Sequence, residues 1–265
     1  MKITSRDNSL LRRARAVRDG KITESLFVEG MRLCAEALNS GLEIEAVIYS
    51  DRIAQKERAA RLIEQLVNAT ETSASVSEKL LESISFTKTP QGIVLLAKRP
   101  AYDGASFSKR QPTNPLLVII HEINNPVNVG AIVRAAEAAG ATGAIATANT
   151  ADPFSPKALR GAMGSAFRLP IWTGAEYSEA VGWCRSRNLH TGVADISGST
   201  AYTEVDWRKP SALIVGRESI GLLPEEMAAA DELIRVPMQG ATESLNVAVA
   251  AGIILFEAAR QRAQK

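Results

Sequence analysis

The chain has 265 residues, 46% hydrophobic and 23% charged, with a formal net charge of +2. This is ordinary globular composition with room for one large or two ordinary domains. No apolar run approaches the roughly 20 residues of a membrane span, the N-terminus lacks the apolar core of a signal peptide, and the balance of charge gives no whole-chain attraction to nucleic acid.

In chain order, Met1 to Lys21 holds seven basic residues against Asp7 and Asp19. Leu10, Leu11, Ala14 and Val17 recur there at helical spacing, so an amphipathic helix is expected over residues 1–22. Its cations are either a solvated face or a phosphate-neutralising surface. A small α/β unit follows over 23–97. Its strands are predicted at Leu26–Val28, Ala46–Tyr49, Ala74–Val76 and Gly92–Ala97, and its helices at Met31–Asn39 and Ala54–Asn68. Lys98 to Pro115 has three prolines and no periodicity and reads as a linker.

Residues 116–265 form the larger domain. Leu116–Ile120 is a continuous apolar run, expected of a strand covered on both faces. A helix over Val129–Ala139 and a strand over Gly143–Ala148 follow. Further strands fit Leu169–Trp172, Thr191–Ala194, Leu213–Gly216 and Leu233–Val236, and a last helix runs from Leu245 to about Arg262. Alternating strands and helices make the fold class α/β, with a mostly parallel sheet.

Several chemistries are excluded. No G-x-x-x-x-G-K-S/T run, strand-linked G-x-G-x-x-G, H-E-x-x-H or G-x-S-x-G is present, and the only histidines are His121 and His190. P-loop, nicotinamide, zinc-hydrolase and nucleophile-elbow chemistry are unsupported. Cys34 and Cys184 have no metal-ligand spacing and read as buried free thiols of a reducing compartment, hence cytoplasmic. No metal is expected.

Three segments carry polar residues at strand-to-helix connections. Asn125-Pro126-Val127-Asn128-Val129-Gly130 through Arg134 leaves a buried strand and enters a helix. Asn128 is suited to cap that helix, and Arg134 is either part of an anion site or a surface cation. Gly216 to Leu222 follows another buried strand and carries Glu218 between two glycines. Pro237 to Val247 contains Met238, Ser244 and Asn246, with Ser244 a candidate cap for the last helix.

In this order the three segments resemble the signature motifs N-P-x-N-x-G-x-x-x-R, G-x-E-x-x-G-L and P-M-x-G-x-x-x-S-L-N-V of the SpoU/TrmH methyltransferases. Leu26 to Leu38 is similar to that family's front, substrate-binding domain. The resemblance implies transfer of a methyl group from S-adenosylmethionine to an RNA ribose 2′-hydroxyl, with ribosomal RNA as the expected partner. Transfer RNA as substrate, and a non-catalytic RNA-binding protein, are the alternatives. It implies a C-terminal trefoil knot, a ribosomal-protein-L30e-like front domain and a homodimer. By the same resemblance Asn128, Arg134, Glu218, Ser244 and Asn246 are the catalytic residues, while Gly216, Gly221, Val236, Met238 and Leu245 hold the cofactor. Arg12, Arg13 and Arg15 are the candidate RNA contacts. Arg217 and Ser219 depart from the usual residues of the second motif; a bulky Arg217 would alter cofactor fit or add a phosphate contact.

Overall fold

The computed structural model describes residues 1–217 and 221–264. The chain packs as two compact units: Met1–Pro100 with Phe154–Phe167, and Ala101–Pro153 with Arg168–Lys265.

The first unit contains β1 (Lys2–Ile3), α1 (Ser9–Arg18), β2 (Ser25–Glu29), α2 (Met31–Asn39), β3 (Ile44–Ser50), α3 (Glu57–Asn68), β4 (Ser73–Val76), α4 (Glu78–Ile84) and β5 (Ile93–Lys98). Its sheet has the order β1-β4-β3-β5-β2, with β5 antiparallel to both neighbours and the other pairs parallel. Helix α1 is capped by Asn8, whose side chain accepts the Leu10 N–H. It buries Leu10, Leu11, Ala14 and Val17, the four residues its periodicity selects. These pack with Phe27, Ile48 and Leu96, so the basic helix is a wall of this core and not a detachable arm. The helix expected over Ala54–Asn68 is split. Ile53–Gln55 is a 3₁₀ turn, and Lys56 is extended before α3 begins. Strand β1 and helix α4 were not foreseen, being too short for a periodic signal.

The second unit contains α5 (Gly104–Ser108), β6 (Leu116–Ile120), α6 (Pro126–Ala138), β7 (Gly143–Thr147), β8 (Ile171–Ala175), α9 (Tyr177–Ser186), β9 (His190–Ala194), β10 (Thr200–Ala201), β11 (Ser211–Val215), α10 (Pro224–Ala228), β12 (Glu232–Arg235) and α11 (Val247–Ala263). Between β7 and β8 the chain forms α7 (Pro156–Ala162) and α8 (Ser165–Arg168). All of α7 and most of α8 group with the first unit. Seven parallel strands run in the order β10-β12-β9-β11-β6-β7-β8. Strands β6, β7 and β11 are buried at every position, which is why their sequences read as continuous runs without alternation.

The stretch read as a linker is partly built into this core. Asp103 caps α5, and Phe107 is fully buried between Trp172 and Trp183, with ring centroids 6.1 and 5.4 Å away. Among the described residues no helix is long and apolar enough to cross a membrane.

One backbone crossing at the site end of the sheet is tight. Strand β12 lies between β9 and β10, and the β9–β10 connection passes directly over it. A Cβ on Gly198 would sit 2.8 Å from the backbone of Leu233 and Ile234, closer than real Cβ contacts allow. The Arg235 guanidinium donates to the carbonyls of Gly198 and Ser199 and fastens the same crossing. Since backbone cannot yield as a side-chain tip does, Gly198→Ala is expected to cost roughly 1–3 kcal/mol through overpacking. Urea unfolding would read this as a lower midpoint at unchanged slope; an unaltered midpoint would show that the crossing has slack.

Candidate active site

Parallel α/β sheets bind ligands beyond the carboxyl ends of their strands. Here a cavity of about 510 Å³ lies beyond β9, β11 and β12, within the roughly 300–1,000 Å³ of small-molecule sites. Gly216, Gly221, Val236, Met238 and Leu245, the five positions marked for a cofactor, all line it. So do Ser244 and Asn246. Its walls are apolar at Val215, Leu222, Ile234 and Ile254, and among the described residues its charged lining residues are Asp195 and Arg217. A Cβ added to Gly216 would lie 2.1 Å from Leu222 Cδ1, so a side chain there would require Leu222 to move.

The other named positions divide. Asn128 is buried in α6, and its Oδ1 accepts a 3.3 Å hydrogen bond from Asn246 Nδ2, 118 residues away. The first and third segments therefore meet at two amide side chains. The caps differ from expectation. Asn125 caps α6 by accepting the Val127 N–H, because Pro126 at the first helical position moves the helix start upstream. Asn246, not Ser244, caps α11, accepting from the N–H groups of Ala248 and Val249. Arg134 is exposed on α6 and does not line the cavity. Glu218 and Ser219 lie outside the described residues. Of the candidate RNA contacts, Arg12 is exposed, Arg13 donates to Glu45 at 2.7 Å and to Ser25, and half-buried Arg15 donates to the Arg6 carbonyl.

Sequence reasoning missed Asp195, which follows β9 directly and lines the cavity. The rule that placed Glu218 beyond a strand end would have found it. It also missed an ion cluster behind the second segment. Arg217 Nε donates to Glu122 Oε2 at 2.6 Å, and its two terminal nitrogens grip both oxygens of Glu226 at 2.7 and 2.9 Å. Arg217 and Glu226 are only 16% and 14% exposed. Glu226 Oε2 also accepts the Leu223 N–H, an otherwise unpaired donor at the start of α10. Its Oε1 meets His121 Nε2 at 3.0 Å, while His121 Nδ1 meets Thr147 Oγ1. An ionised carboxylate only accepts, so His121 Nε2 is the donor to Glu226. Glu122 itself is left-handed, at φ 49°, and Thr150 Oγ1 accepts its N–H.

Arg217 thus neither enters the cavity as a free cation nor faces outward for phosphate. It ties the turn after β6 to the start of α10, and its backbone pairs with Gly221 to close the cavity loop. Its hydrogen bonds draw the Glu226 carboxyl down to about 2 and lower Glu122 as well.

Two groups of relatives match. A model described as the SpoU rRNA Methylase family covers residues 115–256, and one described as an MRM3-like substrate binding domain covers residues 11–95. The chain is 30% identical over 241 residues to a 23S rRNA (uridine(2479)-2′-O)-methyltransferase of Streptomyces viridochromogenes, covering 89% of this chain and 83% of that protein. A 23S rRNA (guanosine(2553)-2′-O)-methyltransferase of Bacillus subtilis is 28% identical over 234 residues, 88% of each chain. The crystal structure of an AdoMet-bound rRNA methyltransferase from Sinorhizobium meliloti superposes with TM-score 0.85 at 31% identity, over 98% of this chain and 97% of that one. A parallel α/β unit with a cavity of mixed polar and apolar lining at its strand ends belongs to the class of folds that hold small molecules there. Within it, this chain belongs to the SpoU rRNA methylase family.

The ion cluster makes two expectations. Arg217→Lys loses the fork that grips Glu226 and should cost roughly 2–3 kcal/mol, somewhat less than a fully buried pair; full retention of thermal stability would argue that the cluster is ornamental. Both carboxyls are lower folded than unfolded, so their contribution is complete above the usual carboxylate range. It fades as pH falls through that range toward 2. Wild-type acid-unfolding curves should therefore be steeper below pH ~4.5 than those of the Glu226→Gln variant.

Proposed function

We propose that this protein transfers a methyl group from S-adenosylmethionine to a ribose 2′-hydroxyl of ribosomal RNA. The observation that carries the reading is the convergence of three distant segments: the Asn128–Asn246 hydrogen bond beside one cavity lined by all five cofactor positions. Relatives that span most of the chain are named for this reaction on 23S rRNA, and a solved neighbour is AdoMet-bound.

The cavity suits such a cofactor. Gly216, Gly221, Val236, Met238 and Leu245 would hold it, apolar walls at Leu222 and Ile254 would cover an adenine ring, and the Asp195 carboxylate would accept from ribose hydroxyls. Asp195 is preorganised for this, since Oδ1 already accepts from the N–H and hydroxyl of Ser197. When bound, S-adenosylmethionine supplies an electrophilic methyl. The protein's remaining task is to place the hydroxyl oxygen and ease loss of its proton, so positioning dominates. Asn246 caps α11 and binds Asn128 at once, which fixes both amides for contact with the ribose. Glu218 and Ser244 complete the polar set carried over from the family pattern. Guanidinium groups are poor bases, so in this reading Arg134 grips the adjacent phosphate through a bidentate fork and polarises the hydroxyl.

Arg134 stands exposed away from its own chain's cavity, which supports a homodimer in which each Arg134 serves the partner's cavity. The outer face of α11 adds support. Val249 and Phe256 are 50% and 54% exposed, and Val127 on α6 is 44% exposed, an apolar surface suited to a two-fold contact. The trefoil knot is supported by the β9–β10 connection crossing tightly over β12, and the ribosomal-protein-like front fold by the five-stranded mixed sheet of the first unit. Arg12 is the exposed member of the basic helix and remains its candidate phosphate contact. Two buried free thiols and a ribosomal substrate support a cytoplasmic setting.

The direct test incubates purified protein, labelled S-adenosylmethionine and ribosomal RNA, then maps ribose methylation. The wild type is expected to modify a single site, and Asn246→Ala to lose at least about tenfold in turnover by unfixing the hydroxyl. Arg134→Lys should lose a similar factor while calorimetry finds unchanged cofactor affinity. Wild-type turnover in Arg134→Lys would refute bidentate gripping, and no transfer to any RNA would refute the enzyme.

A further inference from the structure

The first unit spends two charged side chains on one surface loop. Residues 85–92 join α4 to β5, and from the last turn of α4 the sequence reads Ser83-Ile84-Ser85-Phe86-Thr87-Lys88-Thr89-Pro90-Gln91-Gly92. Glu29, at the end of β2 and only 9% exposed, aims its carboxylate at this loop. Oε2 accepts the N–H groups of Phe86 and Thr87 at 2.8 and 3.2 Å, and Oε1 accepts the Thr87 hydroxyl at 2.6 Å. On the upstream side, Arg18 donates to the carbonyls of Ser83 and Ser85. Downstream, Gln91 Oε1 accepts the Met31 N–H at the start of α2. The loop backbone is therefore held at three points by side chains from α1, β2 and its own end.

What this frame displays is the ring of Phe86, 44% exposed. The chain has few aromatics, 5% of its residues, and among the described residues the other strongly exposed one is Phe256. Phe256 sits on the apolar face of α11 with Val249, whereas Phe86 is followed by Thr87, exposed Lys88 and Thr89, with no acidic residue before β5. An aromatic ring amid polar and cationic neighbours does not resemble a protein-docking face. It matches a stacking platform for an unpaired base, in which the ring meets the base and the cation meets the neighbouring phosphate.

We infer that Phe86 is an RNA-recognition residue that stacks on an unpaired base of the substrate, and that Glu29 is the positioning residue holding it. The inference rests on the RNA methyltransferase reading. It deepens that reading by giving the first unit a preference for looped over duplex RNA. Fixing the backbone beforehand lowers the ordering cost of binding, which is a physical use for a nearly buried carboxylate directed at an exposed loop.

The test measures binding of the full-length protein to a fluorescent RNA hairpin with an unpaired loop and to a blunt duplex of the same stem. Phe86→Ala is expected to weaken hairpin binding roughly tenfold, the order of one lost base–aromatic stack, and to leave duplex binding and melting temperature unchanged. Phe86→Trp should restore affinity and show indole quenching on RNA addition. Phe86→Leu should not restore it. Glu29→Gln should weaken hairpin binding with the ring still present. Equal affinity in Phe86→Ala, or rescue by leucine as full as by tryptophan, overturns the platform. If that occurs while the wild type still transfers methyl groups, the enzyme reading survives. A wild type that binds neither RNA overturns both.

Discussion

The Arg217 guanidinium is shared by two carboxylates, and the architecture around the cavity depends on that sharing. Glu122 belongs to the turn that ends β6, Glu226 to the first turn of α10, and Arg217 to the loop after β11. Three groups that would each be costly to desolvate alone satisfy one another and leave little hydrogen-bonding capacity unused. Bidentate geometry matters because a guanidinium can address one carboxylate with its paired terminal nitrogens and another with Nε, whereas an ammonium has no fixed plane. The left-handed backbone of Glu122 is a local strain of the order of 1–3 kcal/mol, and the cluster is what holds it. His121 and Thr147 extend the same network into the sheet. The cavity loop is thereby referenced to β6 and β7 as well as to its own strand.

A second constraint acts from the other side. Asn246 spends its carbonyl oxygen on the α11 N-terminus and its amide on Asn128. A helix cap and a link between helices are thus made by one side chain, so α11 cannot shift against α6 without breaking the Asn128 bond or drawing Asn246 off its cap. Their packing is close because small residues face each other. A Cβ on Gly252 would lie 3.9 Å from the Ala135 Cβ.

Much of this was legible before any coordinates, and the exceptions have physical causes. Strands such as Leu116–Ile120 were legible because a doubly covered strand must be apolar throughout, and α1 because its four apolar residues fall on one face. The cavity positions were legible from three ordered motifs, not from periodicity. The caps were misplaced because Asn125 and Asn128, like Ser244 and Asn246, are equally good acceptors by type. Only the helix start decides which one is used, and boundaries are the weakest part of a sequence reading. In the stretch read as a linker, prolines and polar residues hide anchors such as buried Phe107 and the Gln111–Thr142 hydrogen bond. The Arg217 cluster joins residues 95 positions apart, a distance over which one sequence carries no pairing information.

The two units also differ in what their polar residues are for, and this bears on how one reaction serves different nucleotides. Relatives named for uridine and for guanosine share a reaction whose reacting oxygen is on the ribose, identical in every nucleotide. The reacting oxygen by itself therefore gives no physical basis for distinguishing one base from another. Discrimination must then come from groups that read base faces or edges, or the shape of the RNA around them. In the second unit the Arg217 cluster holds a loop against the sheet. In the first, Glu29 and Arg18 are spent on holding an aromatic outward. Rigid support behind an exposed ring is a poor investment for stability, since the ring itself is left half in water, but it suits recognition of a partner that arrives with a bare π-face.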